Sequence, residues 1–370
     1  PGNENPRLPV DRTSEVQPFI FWTNYDQDDR TYFETLPIKS ADLLDDVPNS
    51  IRDLEDFARL HLVLGLEATA ALQAGATLTL SWERTEGDPG IRVYAAADPD
   101  GSTRYITDTE AARAQLEPPF DQAVGVVSND ETLLIQADRL RSSETPFDRV
   151  CLLFEGTSIG SGKLHAELWA PNGTVTSGTP VHLDIRHVKQ MYARVRVPWP
   201  FQTPPYANLS KGPPLPDLAW EDDPIEHPFE PLWYETPHAI VFVVGWTKEK
   251  REGYLNSLVE ALETTYKRLW HRGYRGRFIV FRWDTRKYLM GMGLKQSEYR
   301  AFKYGAELKE YVDTLPESYA THVMGHSQGG VLLLEALKLG MVADTALFLQ
   351  SVVPTEALDP DRDLDYPGSE

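Results

Sequence analysis

Cysteine is almost missing from this chain of 370 residues, in which Cys151 is the only one. A single thiol forms no disulfide within the chain, so the class of small secreted proteins held together by disulfides is excluded. Because Cys151 lies in the apolar run 149–154, we expect it to be a buried small hydrophobic residue. Long apolar runs are missing as well, since none approaches the roughly 18 residues of a membrane-spanning helix. The sequence therefore predicts no transmembrane segment.

Positive charge is also in short supply. The chain has 36 Lys and Arg residues against 56 Asp and Glu residues, which leaves a net charge of −20. Nucleic-acid binding needs a basic surface that displaces counterions from the phosphate backbone. The composition therefore excludes nucleic acid as a partner, and it is typical of a well-hydrated protein or of one that binds divalent cations.

The residues that are present divide into regions of different periodicity. Over 55–197, apolar residues recur at every second position in short runs, as Leu78, Leu80 and Trp82 do. Turn signals such as 171–173 (Pro-Asn-Gly) separate these runs, and one helix is predicted at 108–116. Many short strands at this spacing predict a β-sandwich domain over 55–197. Residues 1–54 are expected to add a strand and an acidic loop to the same β domain.

A proline-rich segment follows at 198–237, where 11 of 40 residues are proline. Proline lacks the backbone N–H that helices and central strands need, so neither is expected here. Several aromatic residues interrupt the prolines, and a free linker would have little use for them. We interpret the segment as a linker or as an extended strap that packs along a surface.

From 238 to the end of the chain, strand patterns alternate with helix patterns. Continuous apolar runs at 238–245, 277–283, 319–324 and 345–352 predict buried strands. Helical spacing of apolar residues lies between them, at 254–269, at 297–315 and after Ser327. Strands that alternate with helices predict right-handed βαβ units and a parallel sheet. The predicted fold class is therefore α/β plus all-β, with the parallel sheet in 238–370.

A short motif in this last region carries the chemistry. Residues 325–329 read Gly-His-Ser-Gln-Gly, between a predicted strand and a predicted helix. Glycines on both sides of a serine allow a strand-to-helix turn so tight that the hydroxyl of Ser327 is held exposed. Chance alone produces this pentapeptide in roughly one chain in ten of this length, so the flanking elements decide its meaning.

The motif and its surroundings resemble the α/β-hydrolase family over about 236–355. Val244, Gly245 and Trp246 match the place where that family usually has His-Gly, with valine here instead of histidine. The resemblance implies that Ser327 is the nucleophile and that the N–H of Gln328 donates one hydrogen bond to the oxyanion. It implies a second donor in the N–H of Trp246 or Thr247.

The histidine and acid that the resemblance requires after the serine are not recognisable. All nine histidines precede Ser327, and the later aspartates precede the last strand or lie in an acidic tail. Three interpretations stay open. The chain is a fragment whose missing C-terminal part carries the histidine, or a complete non-catalytic descendant, or an enzyme completed by another chain or by an unusual histidine such as His238 or His187. We favour the fragment, because a sheet that ends at Val352 leaves a long apolar edge strand. The hydrolase-like unit is therefore expected to be incomplete at its C-terminus.

A second site is predicted near the N-terminus. Asn24, Asp26 and Asp28 place oxygen ligands at alternate positions, as calcium loops do, and Asp53 and Asp56 would add carboxylates if the chain returns there. The loop lacks the glycine and the final glutamate of an EF-hand. The sequence therefore indicates either a calcium site or a solvated acidic turn.

Two functional hypotheses follow. The segments 19–29 and 51–62, followed by strands and a late hydrolase-like half, are similar to large uncharacterised exported bacterial proteins, which implies a secreted or periplasmic location. The first hypothesis is a serine esterase or lipase that acts on a small ester or lipid, with the β-sandwich as an accessory domain. It needs no cofactor, and a further C-terminal part of the same protein would be its partner. The alternative is a non-catalytic calcium-binding surface protein that retains a hydrolase-like domain.

Overall fold

The computed structural model describes residues 17–23, 54–98, 102–136, 148–197, 234–245, 254–283 and 293–353. The chain divides into two compact units, one formed by Pro1–Val188 with Glu263–Gly273 and the other by Lys189–Leu262 with Tyr274–Glu370. Both contain helices and strands, so the fold is of mixed α and β type. Over the described ranges, no helix is long and apolar enough to cross a membrane.

The first unit is built around one large mixed sheet, with eight strands in the described residues. They are β1 (Phe19–Trp22), β2 (Ala58–Val63), β3 (Thr77–Ala95), β4 (Ala123–Val127), β5 (Leu133–Gln136), β6 (Arg149–Trp169), β7 (Val175–Ser177) and β8 (Val181–Arg186). The strand order is β1-β8-β6-β3-β4, while β2 and β7 pair with β6 and β5 pairs with β3. Strands β1 and β8 run parallel, and the other pairs are antiparallel.

Each of the two longest strands, β3 and β6, spans more than one of the short apolar runs that the sequence shows. The sequence Asp-Pro-Gly at 88–90, which is a turn signal, lies inside β3. There the register against β6 shifts between Gly87 and Gly90 and again between Gly90 and Ile91. Gly87 has φ +72°, which a residue with a side chain adopts only with strain. These irregularities let one strand continue through a turn signal. The strand-rich character predicted for 55–197 is present, but a sandwich of two sheets is not confirmed.

Within its described residues, the first unit also contains three short helices: α1 (Leu66–Gln73), α2 (Arg104–Thr107) and α3 (Thr109–Leu116). The prediction of a helix at 108–116 is confirmed, and Asp108 caps it by accepting hydrogen bonds from the N–H groups of Glu110 and Ala111, both at 3.0 Å. Helix α1 was not predicted. It buries only two side chains, Ala68 and Leu72, so its sequence carries no clear apolar stripe.

Part of the core of this unit is a cluster that contains the single cysteine. Cys151 is buried, as predicted, and packs with Phe57, Tyr94, Ala96, Tyr105 and Leu153. The hydroxyl of Tyr105 donates a 2.8 Å hydrogen bond to the carbonyl oxygen of Phe57, which satisfies the one polar group that this side chain buries. Burial raises the pKa of Tyr105 above its ordinary value, so the hydroxyl stays protonated as a donor.

The second unit contains a sheet of five parallel strands among the described residues. They are β9 (Ala193–Val197), β10 (His238–Val243), β11 (Arg277–Trp283), β12 (Ala320–His326) and β13 (Thr345–Leu349), in the order β13-β12-β10-β11-β9. The prediction of a parallel sheet is confirmed. Strand β9, which the alternation of apolar residues assigned to the β-sandwich, pairs with β11 at the edge of this sheet.

The helices of this region are α4 (Tyr254–His271), α5 (Gly293–Asp313) and α6 (Gly329–Lys338), which follow β10, β11 and β12. Residues Glu263–Gly273, which include the second half of α4, belong to the first unit. Helix α5 buries a stripe at helical spacing, formed by Ala301, Tyr304, Leu308 and Val312. On α6, a run from Gly329 to Leu333 is buried, and this anchors the start of the helix behind Ser327.

Candidate active site

Ser327 occupies the turn between β12 and α6 in a strained backbone conformation. Its φ is +53°, in the left-handed region that costs about 1 kcal/mol or more for a residue with a β-carbon. Backbone hydrogen bonds hold it there: its N–H donates to Leu349 at 3.0 Å, and its carbonyl accepts from Gly330 at 3.1 Å and Val352 at 3.3 Å. The turn is therefore fixed both by the start of α6 and by the chain that leaves β13.

The glycines around Ser327 are required by close packing. A β-carbon on Gly325 would lie 2.7 Å from the carbonyl oxygen of Gly329, and one on Gly329 would lie 2.3 Å from the carbonyl oxygen of Val243. A β-carbon on Gly330 would lie 2.0 Å from the hydroxyl oxygen of Ser351. Contacts this short force the backbone to move. The pattern of glycines that the sequence shows is thus what this turn needs.

Gln328, the residue after the serine, is held by α5. Its side chain is buried, and its Oε1 accepts a 2.5 Å hydrogen bond from the hydroxyl of Ser297, which is fully buried. Gln328 is the N-cap residue of α6, so its backbone N–H lies at the positive end of the helix dipole. Sequence reasoning missed Ser297, because a serine in a helical stretch gives no sign of its tertiary partner.

The end of β10 adjoins the turn. A β-carbon on Gly245 would lie 2.8 Å from the β-carbon of Ser327 and 2.9 Å from the carbonyl oxygen of His326. The backbone before it is anchored, because the carbonyl of Val244 accepts a 2.7 Å hydrogen bond from the indole N–H of Trp283. Trp246 and Thr247, the predicted second donors to an oxyanion, lie outside the described residues.

Two histidines of the second unit are far from Ser327. His238 and His322 stack at the amino ends of β10 and β12, with ring centroids 5.8 Å apart, and His238 is in register with Ala320. Since a strand rises about 3.3 Å per residue, the chain from Ala320 to Ser327 spans roughly 20 Å. His238 therefore lies beyond hydrogen-bond reach of Ser327. His187, the other histidine considered above as an unusual base, is buried in the first unit.

His326 adjoins Ser327 in the chain and shares the space beside Gly245. Its ring Nδ1 would lie 3.2 Å from a β-carbon on Gly245. Over the described residues, no hydrogen bond joins this ring to the Ser327 hydroxyl. The described part of the second unit therefore assigns no histidine as the base for Ser327.

Asp344, the one aspartate after Ser327 within the described residues, gives no partner for a catalytic histidine either. Asp344 accepts a hydrogen bond from the N–H of Thr321 at 2.7 Å, and its own N–H donates to the carbonyl of Thr321 at 2.8 Å. Thr321 lies at the amino end of β12, whereas Ser327 follows its carboxyl end. Asp344 therefore lies at the opposite end of the strands from Ser327. The acidic residues of the predicted tail lie outside the described residues.

Most of the predicted calcium ligands lie outside the described residues, and Asp56, the one that is described, has another role. Asn24, Asp26, Asp28 and Asp53 lie outside the described residues. Asp56 is fully buried, pairs with the ammonium group of Lys267 at 2.7 Å and accepts a hydrogen bond from the indole of Trp22. In the part of the chain that is described, no group of three or more His, Cys, Asp or Glu residues could hold a metal ion.

The chain matches no model of a known protein family and no curated protein sequence. A fold of this kind also hosts many unrelated functions, so architecture alone does not name one. The evidence for a function therefore comes from the geometry around Ser327.

Proposed function

We propose that the protein is a serine hydrolase that cleaves carboxylic esters through an acyl-enzyme at Ser327. The observation that carries the proposal is the φ of +53° at Ser327, which lies in a strand-to-helix turn. Neighbouring atoms leave no room for side chains at the glycine positions of this turn. Backbone strain at a polar residue is costly, and it is retained where the residue has a task. A nucleophilic serine on such a turn is the arrangement by which α/β-hydrolases present their hydroxyl.

The proposed reaction has two steps. The Oγ of Ser327 attacks the carbonyl carbon of the ester, and its proton passes to a base. The base gives this proton to the departing alcohol as the acyl–oxygen bond breaks, which leaves an acyl group on the serine. Water then attacks the acyl group and releases the acid. In both steps a negative charge develops on the former carbonyl oxygen, and hydrogen-bond donors have to stand ready for it.

The donors in the proposal are two backbone N–H groups. One belongs to Gln328 at the start of α6, and the other belongs to Trp246 or Thr247 after Gly245. The contact between Gly245 and Ser327 supports this pairing, since it brings the segment after β10 to the nucleophile. The hydrogen bond from Ser297 to Gln328 supports a fixed orientation of the first donor. Donors that are already in place cost no reorganisation during the reaction.

The base and the acid are left to residues outside the described part of the second unit. We propose that a histidine and a carboxylate come from a further part of the same protein or from another chain. A small ester or a lipid is the proposed substrate class, and no cofactor takes part. The β-sandwich as an accessory domain remains part of the proposal and rests on the strand periodicity of 55–197. The secreted or periplasmic location also remains part of it and rests on the sequence resemblance.

The alternative, a non-catalytic calcium-binding surface protein, has less support. It depends on the acidic residues near the N-terminus, and of these Asp56 is engaged by Lys267 and Trp22. A carboxylate that is fully buried beside an ammonium group is a poor ligand for a cation. No structural observation favours this alternative over the hydrolase.

Covalent labelling tests the proposal. A fluorophosphonate probe reacts with activated serines, so the full-length protein is expected to carry one adduct on the peptide that contains Ser327. Ser327→Ala should abolish the adduct. Ser351→Ala is the matched control, because this hydroxyl lies in the same loop region and only donates to the carbonyl of Gly325, at 3.0 Å. A folded protein that stays unlabelled, or a label that persists in Ser327→Ala, would refute the proposed function.

A further inference from the structure

A cavity in the first unit is lined by side chains that favour an anion. Its volume is about 220 Å³, and its walls are formed by Thr103, Ile106, Thr107, Arg268, His271 and Arg272. The first three come from α2 and the residue before it, and the last three come from the end of α4 and the residue after it, within Glu263–Gly273 of the same unit.

The charge of this lining is opposite to that of the chain. The protein carries a net charge of −20, yet the six lining residues include two guanidinium groups and no carboxylate. The nearby acid Glu55 accepts a hydrogen bond from Nε of Arg268. The two terminal nitrogens of that guanidinium take no part in this hydrogen bond. One carboxylate beside two arginines leaves the local balance positive.

The orientation of the imidazole is also fixed. Nε2 of His271 lies 2.7 Å from the carbonyl oxygen of Glu55. Because a carbonyl only accepts hydrogen bonds, Nε2 carries the proton. The ring packs edge-on against Trp22 and Trp270, with centroids 5.6 and 5.2 Å apart. The wall of the cavity that His271 forms is therefore rigid.

Cations at the end of a helix also have a simpler explanation, which is the helix dipole. Arg268 and His271 lie in the last turn of α4, where positive charge compensates the helix dipole. That explanation accounts for the cations but not for the rest of the lining, which is formed by Thr103, Ile106 and Thr107. The hydroxyl of Thr107 donates a long hydrogen bond of 3.4 Å to the carbonyl oxygen of Thr103, and a hydroxyl can rotate to donate to a ligand instead. Threonine hydroxyls beside two arginines form a set that suits a tetrahedral oxyanion.

We propose that this cavity binds a phosphate group, either as free phosphate or as the phosphate of a small ester. The planar fork of an arginine matches two phosphate oxygens, and threonine hydroxyls donate to the others. Ile106 offers contact to an organic group attached to the phosphate. The side chain of Arg268 is 64% exposed, so the site is open to ligand from solvent. None of its residues belongs to the region around Ser327, so this site is independent of the proposed hydrolase activity.

Calorimetric titration of the full-length protein tests the site, with inorganic phosphate and phenyl phosphate as probes and sodium chloride of equal ionic strength as the reference. We expect phosphate to bind where chloride does not. Arg272→Gln and Thr107→Val should each weaken phosphate binding, the arginine variant by about tenfold, since it loses hydrogen bonds to a charged group. Arg113→Gln on α3 removes a surface arginine away from the cavity and should leave binding unchanged.

The two probes separate the two sources of phosphate. Tighter binding of phenyl phosphate than of inorganic phosphate indicates an ester whose organic group contacts Ile106, and equal or weaker binding indicates free phosphate. Absence of phosphate binding above the chloride reference overturns the proposal, and so does unchanged binding in both folded cavity variants. If the arginines only compensate the dipole of α4, Arg272→Gln lowers the melting temperature, and added phosphate leaves the melting temperature of both the wild type and the variant unchanged. That result also overturns the proposal.

Discussion

Gly245 and Ser327 lie so close together that a β-carbon on Gly245 would be 2.8 Å from the β-carbon of Ser327. They are far apart in the sequence, and the parallel pairing of β10 with β12 brings them together at the carboxyl ends of these strands. Polar groups that meet at the carboxyl ends of parallel strands are a common origin of binding sites in α/β folds. The contact is therefore the structural link between the nucleophile and the predicted second donor.

This contact predicts the effect of Gly245→Ala. The added methyl group would displace Ser327 or the segment after β10, and displacements of this size reduce the rate at a positioned nucleophile by about tenfold or more. The rate of labelling of Ser327 by a fluorophosphonate measures it. Gly65→Ala is the control, because nothing lies within 4 Å of a β-carbon there. If the folded Gly245→Ala protein is labelled at the wild-type rate, the contact has no catalytic meaning.

The strained φ of Ser327 predicts an unusual order of stability among variants. Ser327→Ala and Ser327→Gly both lose the hydroxyl, but only glycine adopts a φ of +53° without strain. After the greater entropy of unfolded glycine is allowed for, we expect Ser327→Gly to exceed Ser327→Ala in free energy of unfolding by about 0.5–1 kcal/mol. Urea denaturation measures both.

A helical position provides the comparison for this order. At Ala112, inside α3, replacement by glycine should lower the free energy of unfolding by about 1 kcal/mol. Glycine is thus favoured at 327 and disfavoured at 112. If Ser327→Gly is less stable than Ser327→Ala, the backbone of the turn is not strained in the way described.

The buried ion pair of Lys267 and Asp56 predicts a large loss of stability when one partner is removed. Both side chains are buried and their charged atoms lie 2.7 Å apart. Lys267→Met leaves the carboxylate without its counter-charge, which typically costs about 3–5 kcal/mol. The double variant Lys267→Met with Asp56→Asn should recover part of this loss, because asparagine is neutral and still accepts from Trp22. A loss below about 1 kcal/mol in the single variant would contradict a buried charge pair.

The N-cap of α3 predicts a pH dependence. The hydrogen bond from the N–H of Ala111 is the largest cause that holds the pKa of Asp108 below its ordinary value of 3.8. Because the pKa is lower in the folded protein, this ionised group contributes stability above the unfolded pKa, and that stability is lost as the pH falls through the folded pKa.

Two substitutions separate charge from capping at this position. Asp108→Asn keeps an acceptor for the helix but has no charge, so its deficit against wild type should be present at pH 7 and should shrink as the pH falls below about 4. Asp108→Ala loses the acceptor and should be less stable than Asp108→Asn at neutral pH. Thermal melts from pH 7 to acid measure both differences. A deficit of Asp108→Asn that grows in acid would contradict the stated direction of the pKa.

Local patterns predicted the second unit well. The continuous apolar runs became β10, β11, β12 and β13, and the stretch after Ser327 became α6. Strands β10, β11 and β12 are recognisable because their apolar runs are buried. Strand β13 was also predicted to be buried, and that part of the prediction is wrong, because Thr345–Phe348 are exposed. Strand β9 was assigned to the other region, because alternation shows that a strand exists but not which sheet it joins.

Tertiary contacts explain what the sequence did not predict. Strands β3 and β6 continue through turn signals because bulges and a glycine with positive φ absorb them. The partner of Asp56 is Lys267, which no acidic pattern could indicate, and so the sequence indicated for Asp56 only a calcium site or a solvated acidic turn. Around Ser327, the motif and the close glycines were visible in the sequence, whereas the hydrogen bond from Ser297 to Gln328 was not.

The central claim, that Ser327 forms an acyl-enzyme, is tested most directly by mass spectrometry of the full-length protein after brief exposure to p-nitrophenyl acetate. The proposal predicts an increase in mass by one acetyl group for each chain, located on the peptide that contains Ser327, and no increase in folded Ser327→Ala. A folded wild-type protein that never carries the acetyl group, or a Ser327→Ala variant that carries it equally, would contradict the claim.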